Sequence, residues 1–540
     1  MLNNARMPAQ TLYSTRGMVV SGQPLATAAG AQVLARGGNA VDAALAVAAA
    51  TAVTMPEMCG LGGDAFALVY DARTKKVTAY NGSGPAPSLA TPEAFAERGF
   101  TDLMPYHGWL AVAAPGAVSV YAGLHRDHAT RPLTELWADA IRLAEEGFPL
   151  DASRAEYLAM DVTRLSADPV AAGLLLRDGQ PLRAGEVLRN PDLARSLQAV
   201  AEDPATIWTG ALAEAIAGSS RRGGGLLALA DLAMEPAVPY EPLSTSYRGH
   251  RVHTTAPPSQ GLVLLEILNL LEGYDLAALG PSSPELVHLV VEATRIAFAD
   301  RNRWSGDPAH VRDLTARLVS KAWADERRRQ IDPDRAAVEV VGGDVDGDTT
   351  SFVVVDGDGN AVSFIHSISA AWGSGVAAEG TGFLMNNRAG RGFSLAAGHP
   401  NVVAPGKRTM HTLLTYLVTD GAGELELVGN TPGGDGQPQW NAQALVNLVD
   451  HRMTAGAAMS AARWLSIPGT DPDTLALPRR IAIEDVVGEA TIEGLRARGH
   501  TVSVLPPGIA LGSSTVIRRH PDGVLEGAAD PRETAHALGV

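Results

Sequence analysis

Strand-forming runs stand at both ends of this sequence, and a long stretch of helical spacing separates them. Near the start, residues 65–70 (AFALVY) and 76–80 (KVTAY) flank a turn at 71–75 and predict a hairpin. Past position 349, residues 350–355 (TSFVVV), the turn Asp356-Gly357-Asp358-Gly359-Asn360 and residues 361–368 predict another. Residues 413–419, 425–428, 502–505 and 514–518 add further strands. Between the two groups, residues 133–331 are mostly helical in pattern, with apolar residues at helical spacing over 133–146 and 285–303. Strand pairs at both ends with helices between them predict sheets covered by helices, an α/β or α+β layering. No repeat of fixed period and no linker divides the chain, so one large domain is expected.

The helical part begins at residues 24–55. Leu25, Ala28, Ala31, Val33 and Leu34 lead to a break at Arg36-Gly37-Gly38, and Asn39 offers a cap for a second helix over 40–54. Pro56 ends it, and a glycine loop follows at Cys59-Gly60-Leu61-Gly62-Gly63-Asp64. Another helix is expected over 262–271, after the interruption Thr255-Ala256-Pro257-Pro258-Ser259-Gln260-Gly261. Apolar residues make up 46% of the 540 positions and charged residues 19%, which excludes disorder. Aromatics are only 5% against 57 glycines, so the core must rely on close approach of small residues. The longest mostly apolar run, 43–55, is too short to span a bilayer and reads as a buried helix. Residues 1–17 carry no apolar export core, so a cytoplasmic protein is expected. The formal charge of −16 disfavours a nucleic-acid binder. Cys59 is the sole cysteine, so neither an intrachain disulfide nor a CxxC zinc site can form.

Several motifs fail on their context. Gly60-Leu61-Gly62-Gly63-Asp64-Ala65 has the spacing of a dinucleotide loop, but here a helix precedes it and a strand follows, the reverse of that fingerprint. It reads as a tight helix-to-strand turn. Asp344, Asp346 and Asp348, and likewise Asp356, Asp358 and Asn360, repeat at calcium-loop spacing. Neither series has the glycine at position six or the glutamate at position twelve. Both read as solvated turns. Pro257-Pro258-Ser259-Gln260-Gly261 carries only half of a nucleophile elbow. The 14 histidines form no H-E-x-x-H, so no metal site is expected, and nothing calls for a cofactor.

The segment Asp348-Thr349-Thr350-Ser351 has more chemistry in it. A polar, acidic stretch over 330–348 runs straight into a threonine that opens an apolar strand. A cut before Thr349 would place a new α-amine beside its own hydroxyl. With a pKa near ~8, that amine can take the hydroxyl proton at neutral pH. Taken alone, a Thr-Thr pair at a strand entrance is usually only what β-propensity places there.

Ordered matches along nearly the whole chain decide between these. They include Gly37-Gly38-Asn39-Ala40-Val41-Asp42, Gly60 to Phe66, Ala114-Pro115-Gly116, Pro257 to Gly261 and Ala299-Asp300-Arg301. Later come Thr349 to Asp356, Asn386-Asn387, Pro432-Gly433-Gly434 and Gly527-Ala528-Ala529-Asp530. The sequence thereby resembles the γ-glutamyltransferase (glutathione hydrolase) family of N-terminal-nucleophile hydrolases. The resemblance implies an α+β fold, a four-layer αββα sandwich, and self-cleavage between Asp348 and Thr349. Residues 1–348 would then form a large subunit and 349–540 a small one, joined as a heterodimer in one domain. Thr349 becomes the nucleophile with its freed amine as base, Gly433 and Gly434 supply oxyanion N–H groups, and Ser367 stands where the family has an assisting threonine.

In the acyl pocket the resemblance implies a different set of side chains. The family arginine that holds the glutamyl α-carboxylate falls at Pro92. The amide and acidic residues that receive the α-amine fall at Arg388 and Arg391, the asparagine at Ser369, and two serines at His411 and Thr412. Two guanidinium groups repel an ammonium and suit a carboxylate through forked hydrogen bonds. No other acid in the neighbouring sequence replaces the family's own. Three functions follow: hydrolysis or transfer of γ-glutamyl groups from amides such as glutathione; amide hydrolysis for an acyl group with a carboxylate but no α-amine, of oxamate or glutaryl type; and an unprocessed, non-enzymatic scaffold. Residues 58–64 and 433–438 resemble the oxamate-hydrolase branch.

Overall fold

The computed structural model describes residues 9–337, 349–468, 478–506 and 512–540. The acidic residues Asp344, Asp346 and Asp348 lie outside them. The fold is mixed α/β and is organised by two antiparallel sheets. The six-stranded sheet runs in the order His536–Gly539, Gly17–Ser21, Thr350–Asp356, Ala361–Ser367, Asp64–Asp71, Lys76–Gly82. The seven-stranded sheet runs Leu12–Ser14, Leu525–Ala529, Thr515–Arg519, Leu425–Asn430, Tyr416–Thr419, His250–Thr254, Leu243–Tyr247.

Period-two alternation assigns the faces. From Thr350–Asp356, Val353 and Val355 point into a core shared with Leu417, Val428 and Ile517 of the other sheet. Phe352 and Val354 point the opposite way, into a core with the helices Pro24–Ala35, Ala40–Thr54 and Ala117–His128. On the far side of the seven-stranded sheet, Val252, Tyr416 and Val418 pack with the helices Gly261–Leu271 and Pro284–Trp304. The expected close packing of small residues is visible between the first two helices. A Cβ at Gly30 would stand 2.5 Å from Val47 Cγ2, so glycine there lets the helices approach.

The hairpins predicted at 65–80 and 350–368 form, and Asn39 caps its helix in a reciprocal box with Asp42. The glycine loop is the helix-to-strand turn foreseen for it. Gly62 and Gly63 lie so close to the carbonyls of Leu384 and Ser367 that a Cβ would come within 2.2 and 2.3 Å of their oxygens.

Other expectations need correction. The Asp356 turn is not simply solvated: Asp356 is buried and accepts hydrogen bonds from Asp358 N, Asn360 N and, at the start of the helix Ala40–Thr54, Ala40 N. The helix expected over 133–146 breaks at Trp137 into Leu133–Leu136 and Ala138–Glu146. The middle third contributes the strands Leu243–Tyr247 and His250–Thr254. Residues 502–505 join Trp464–Ile467 and Arg480–Glu484 in a separate small sheet. The strand expected from 413 begins at Tyr416, because His411 is already bonded to the Pro258–Gln260 segment. Among the described residues, no helix is long and apolar enough to cross a membrane.

Candidate active site

Hairpin register places the nucleophile candidate. Thr350 pairs with His366, so Thr349 stands at the strand mouth beside Ser367. Thr349 Oγ1 donates to Ser367 Oγ at 3.1 Å, and Ser369 N donates to the same oxygen at 2.8 Å. Both hydroxyl residues are buried. Ser369 holds a positive φ of 89°, a sparsely populated region that strains a residue with a Cβ, and its backbone N–H is thereby turned onto Ser367.

Gly433 reaches the same place from the other sheet. The Leu425–Asn430 strand is fastened to the hairpin by Ser363 Oγ donating to Gly429 O (3.0 Å) and Asn430 Nδ2 donating to Phe364 O (3.3 Å). The chain then turns through Pro432, Gly433 and Gly434, and the two glycines take φ values of 114° and 51° that suit glycine. Gly433, Pro432 and Thr349 line one cavity together with Met55, Met58, Arg154 and Glu533. Gly433 and the Thr349 hydroxyl thereby share one cavity, and backbone N–H groups beside a reacting hydroxyl are what charge developing on a carbonyl oxygen needs. The sequence reading missed Arg154 and Glu533. Buried Arg154 pairs with Glu57 at 2.5 Å and Glu533 at 3.4 Å, partners remote from it in sequence.

The predicted acyl-pocket residues divide. Arg388, Arg391 and Thr412 line a cavity of 590 Å³ that also meets Arg301, Phe393 and Met410. Arg391 Nη1 donates to Ser369 O at 3.1 Å, which ties this cavity to the Ser367–Thr349 pair. Ser369 and His411 are buried behind the wall. Pro92 stands at the first turn of the short helix Pro92–Ala96 and lines neither cavity.

Asp64 was absent from the predicted set. Its Oδ2 accepts from Arg388 Nε at 3.0 Å and its Oδ1 from Gly84 N at 2.9 Å. An acid therefore does stand beside Arg388, contrary to the sequence expectation, contributed from the glycine turn and not from nearby in the chain. Burial raises the Asp64 pKa, and Arg388 and the Gly84 N–H oppose that rise. His411 packs edge-on to Phe66, with Nε2 3.9 Å from Asp64. Burial, then the charges of Arg388 and Arg408, push His411 well below the usual imidazole range, so the ring is neutral at neutral pH.

Among the described residues, His288, Glu292 and His500 cluster closely enough to share a metal ion. Their polar atoms already have partners. His288 Nδ1 meets His500 Nε2 at 2.7 Å, and Glu292 is paired with Arg295 at 2.7 Å, whose guanidinium also approaches His500. A cation there would face that guanidinium, so the cluster reads as an internal hydrogen-bonded network. The Cys59 thiol is buried, and burial raises its pKa well above the usual range, as an unreactive core cysteine requires.

Comparison with known proteins shows which proteins the chain resembles. The family model described as gamma-glutamyltranspeptidase matches residues 26–540. The chain is 34% identical over 535 residues to the glutathione hydrolase-like YwrD proenzyme of Bacillus subtilis (strain 168), covering 98% of this chain and 100% of that one. It is 37% identical to the oxamate amidohydrolase proenzyme of Klebsiella pneumoniae, covering 97% and 99%. The crystal structure of a cephalosporin acylase from Bacillus halodurans superposes with a TM-score of 0.91 at 33% identity, over 100% and 99% of the two chains.

Proposed function

The chain belongs to the gamma-glutamyltranspeptidase family, and from that premise we propose that it is an N-terminal threonine amidohydrolase that cuts itself before Thr349. The observation that carries this reading is the 3.1 Å hydrogen bond between Thr349 Oγ1 and Ser367 Oγ, in a cavity that Gly433 also lines. In maturation Thr349 Oγ attacks the carbonyl carbon of residue 348, the peptide C–N bond breaks, and water cleaves the resulting ester. This yields fragments of 348 and 192 residues that stay together as a heterodimer. The packing of helices on both outer faces of two facing sheets supports a four-layer αββα sandwich shared by both fragments.

In turnover the freed α-amine of Thr349 takes the hydroxyl proton as Oγ attacks the substrate amide. The N–H groups of Gly433 and Gly434 receive the oxyanion. Collapse breaks the C–N bond, the ammonium returns its proton to the departing amine, and an ester on Thr349 remains. Water, or an acceptor amine, then takes the acyl group. No step calls for a cofactor.

The wall of the 590 Å³ cavity favours one donor class. It carries Arg303, Arg388 and Arg391 against a single acid, Asp102, while Arg301 is turned onto Asp435 and Asp64 onto Arg388. An acyl group ending in a carboxylate and lacking an α-amine suits that wall better than a γ-glutamyl group does. Relatives named for oxamate and cephalosporin chemistry are in keeping with this choice.

Thr349→Ala should give one uncut chain without turnover, read by intact mass and N-terminal sequencing. Persistent amide hydrolysis by that variant would refute the assignment. The donor class is tested with p-nitroanilides of glutaric acid and γ-glutamate. We expect at least about tenfold higher kcat/KM for the glutaryl compound, which is the scale of a single charge-assisted hydrogen bond. A preference for γ-glutamyl would overturn the donor class and leave the nucleophile standing.

A further inference from the structure

Behind the Gly433–Gly434 turn lies a buried polar network that the reaction as described does not use. Arg301, on the helix Pro284–Trp304, has a fully buried side chain and pairs through Nη1 with Asp435 Oδ1 at 2.6 Å. The same Nη1 donates to Gln260 Oε1. Gln260 Nε2 in turn donates to Gly434 O at 3.0 Å and to Thr412 O at 2.5 Å. Phe298 closes over the guanidinium, with its ring centroid 4.5 Å from Arg301 Cζ.

The placement of these bonds matters more than their number. Two consecutive glycines at positive φ make a turn whose peptide planes rotate at little steric cost. On the reading of these glycines as oxyanion donors, rotation about Gly434 would misaim its N–H and tilt the following peptide plane, which carries the Gly434 carbonyl. The local bonds of the turn, Gly436 N to Gly433 O and Gln437 N to Gly434 O, hold it from one side only. Gln260 and Arg301 grip it from behind, one on the Gly434 carbonyl and the other on the neighbouring Asp435 carboxylate. Burying an ion pair and an amide there is costly, and the ties that Gln260 and Arg301 make to Gly434 and Asp435 offset that cost while fixing the turn.

We propose that Gln260 and Arg301 are positioning residues for the oxyanion turn, and that Gln260, by also holding Thr412 O, couples this turn to the acyl-pocket wall. The inference rests on the reading of Gly433 and Gly434 as the oxyanion donors. It gives Pro257-Pro258-Ser259-Gln260-Gly261, only half of a nucleophile elbow, a function that has nothing to do with its serine. Ser259 Oγ is occupied on Leu413 O at 2.6 Å.

The test uses self-processed full-length enzyme carrying Gln260→Met, which keeps the volume and removes both donated bonds. Arg301→Lys is its companion: the charge against Asp435 stays, and the rigid guanidinium that sets one nitrogen between Asp435 and Gln260 is lost. Each is measured for kcat and KM on the amide that wild type cleaves best. Each is also measured for affinity toward the free product acid and toward a boronic acid of the same acyl chain, which forms a tetrahedral adduct on the nucleophile. We expect Gln260→Met to lower kcat by about 100-fold, the loss seen when an oxyanion donor is misplaced, with KM and product-acid affinity within about threefold. Boronate affinity should fall in parallel with kcat/KM, and Arg301→Lys should show the same pattern with a smaller loss. Unchanged kcat, or product-acid affinity falling as far as boronate affinity, would overturn the proposal, because the network would then serve stability or the acyl pocket alone. A wild type indifferent to the boronate would refute the acyl-enzyme reading itself, and is thereby told apart from a failure confined to Gln260 and Arg301.

Discussion

Ser367 shows how far single residues were legible. The resemblance put it where the family has an assisting threonine, and the hairpin register sets it beside Thr349 with its oxygen accepting from both Thr349 Oγ1 and Ser369 N. Ser367→Ala removes the acceptor that orients the Thr349 hydroxyl, so kcat should fall by about 10- to 100-fold with little change in KM, as steady-state kinetics would read. Asp64 was not legible, because its partner Arg388 lies 324 positions away and a Gly-Gly-Asp turn advertises only backbone geometry. Asp64→Asn leaves a buried guanidinium uncompensated and should cost about 3 kcal/mol near neutral pH. Burial raises the wild-type Asp64 pKa above its unfolded value, so the folded chain takes up that proton first and the difference between wild type and variant should widen as pH falls through the raised value. Denaturant titrations of both proteins across the acid range would check the magnitude and the trend.

At the scale of elements, local signals succeeded where pairing is local. Both hairpins announced themselves through strand-forming runs on either side of a short turn, Asp71 to Lys75 in one and Asp356 to Asn360 in the other, because a hairpin's partner strand is its neighbour in sequence. The edge strands Leu12–Ser14 and His536–Gly539 gave no such signal, since each is only three or four residues long and pairs with a distant segment. The Ala361–Ser367 strand also carries a titration that pattern alone does not show. His366 is buried, with Nε2 3.0 Å from Thr51 Oγ1 and Nδ1 2.8 Å from the Tyr121 hydroxyl. Thr51 already spends its proton on helix carbonyls, so it accepts from Nε2–H and Tyr121 donates to Nδ1. Desolvation holds the ring neutral, its pKa pushed down to about 3. Below the unfolded value near ~6.5, the unfolded chain therefore binds a proton that the folded chain refuses, and stability is lost as pH falls. Between pH 6.5 and 5 this one residue should cost about 1.5 kcal/mol. Denaturation of wild type and His366→Gln at both pH values would show it as a gap between them that narrows by that amount on acidification.

For the molecule as a whole, the cut before Thr349 falls between strands that the two sheets interleave. In the six-stranded sheet, Thr350–Asp356 sits between Gly17–Ser21 and Ala361–Ser367, while Ala361–Ser367 sits between it and Asp64–Asp71. In the seven-stranded sheet, Leu12–Ser14 forms one edge and His250–Thr254 pairs with Tyr416–Thr419. Each fragment alone would leave central strands with bare edges and the inter-sheet core of Met18, Val20, Val353, Val355 and Ile517 half exposed. A sequence pass can mark these strands but not their interleaving, because that is a property of pairing across hundreds of residues. The consequence is that cleavage should relieve no contact on which the fold depends. Processed enzyme should elute in size exclusion at the same volume as the uncut Thr349→Ala chain. In denaturant its two fragments should part only in the transition that abolishes secondary structure, with circular dichroism and fragment separation sharing one midpoint. Fragments that separate under native conditions, or a 192-residue piece that folds by itself, would show that the sheets are not held jointly.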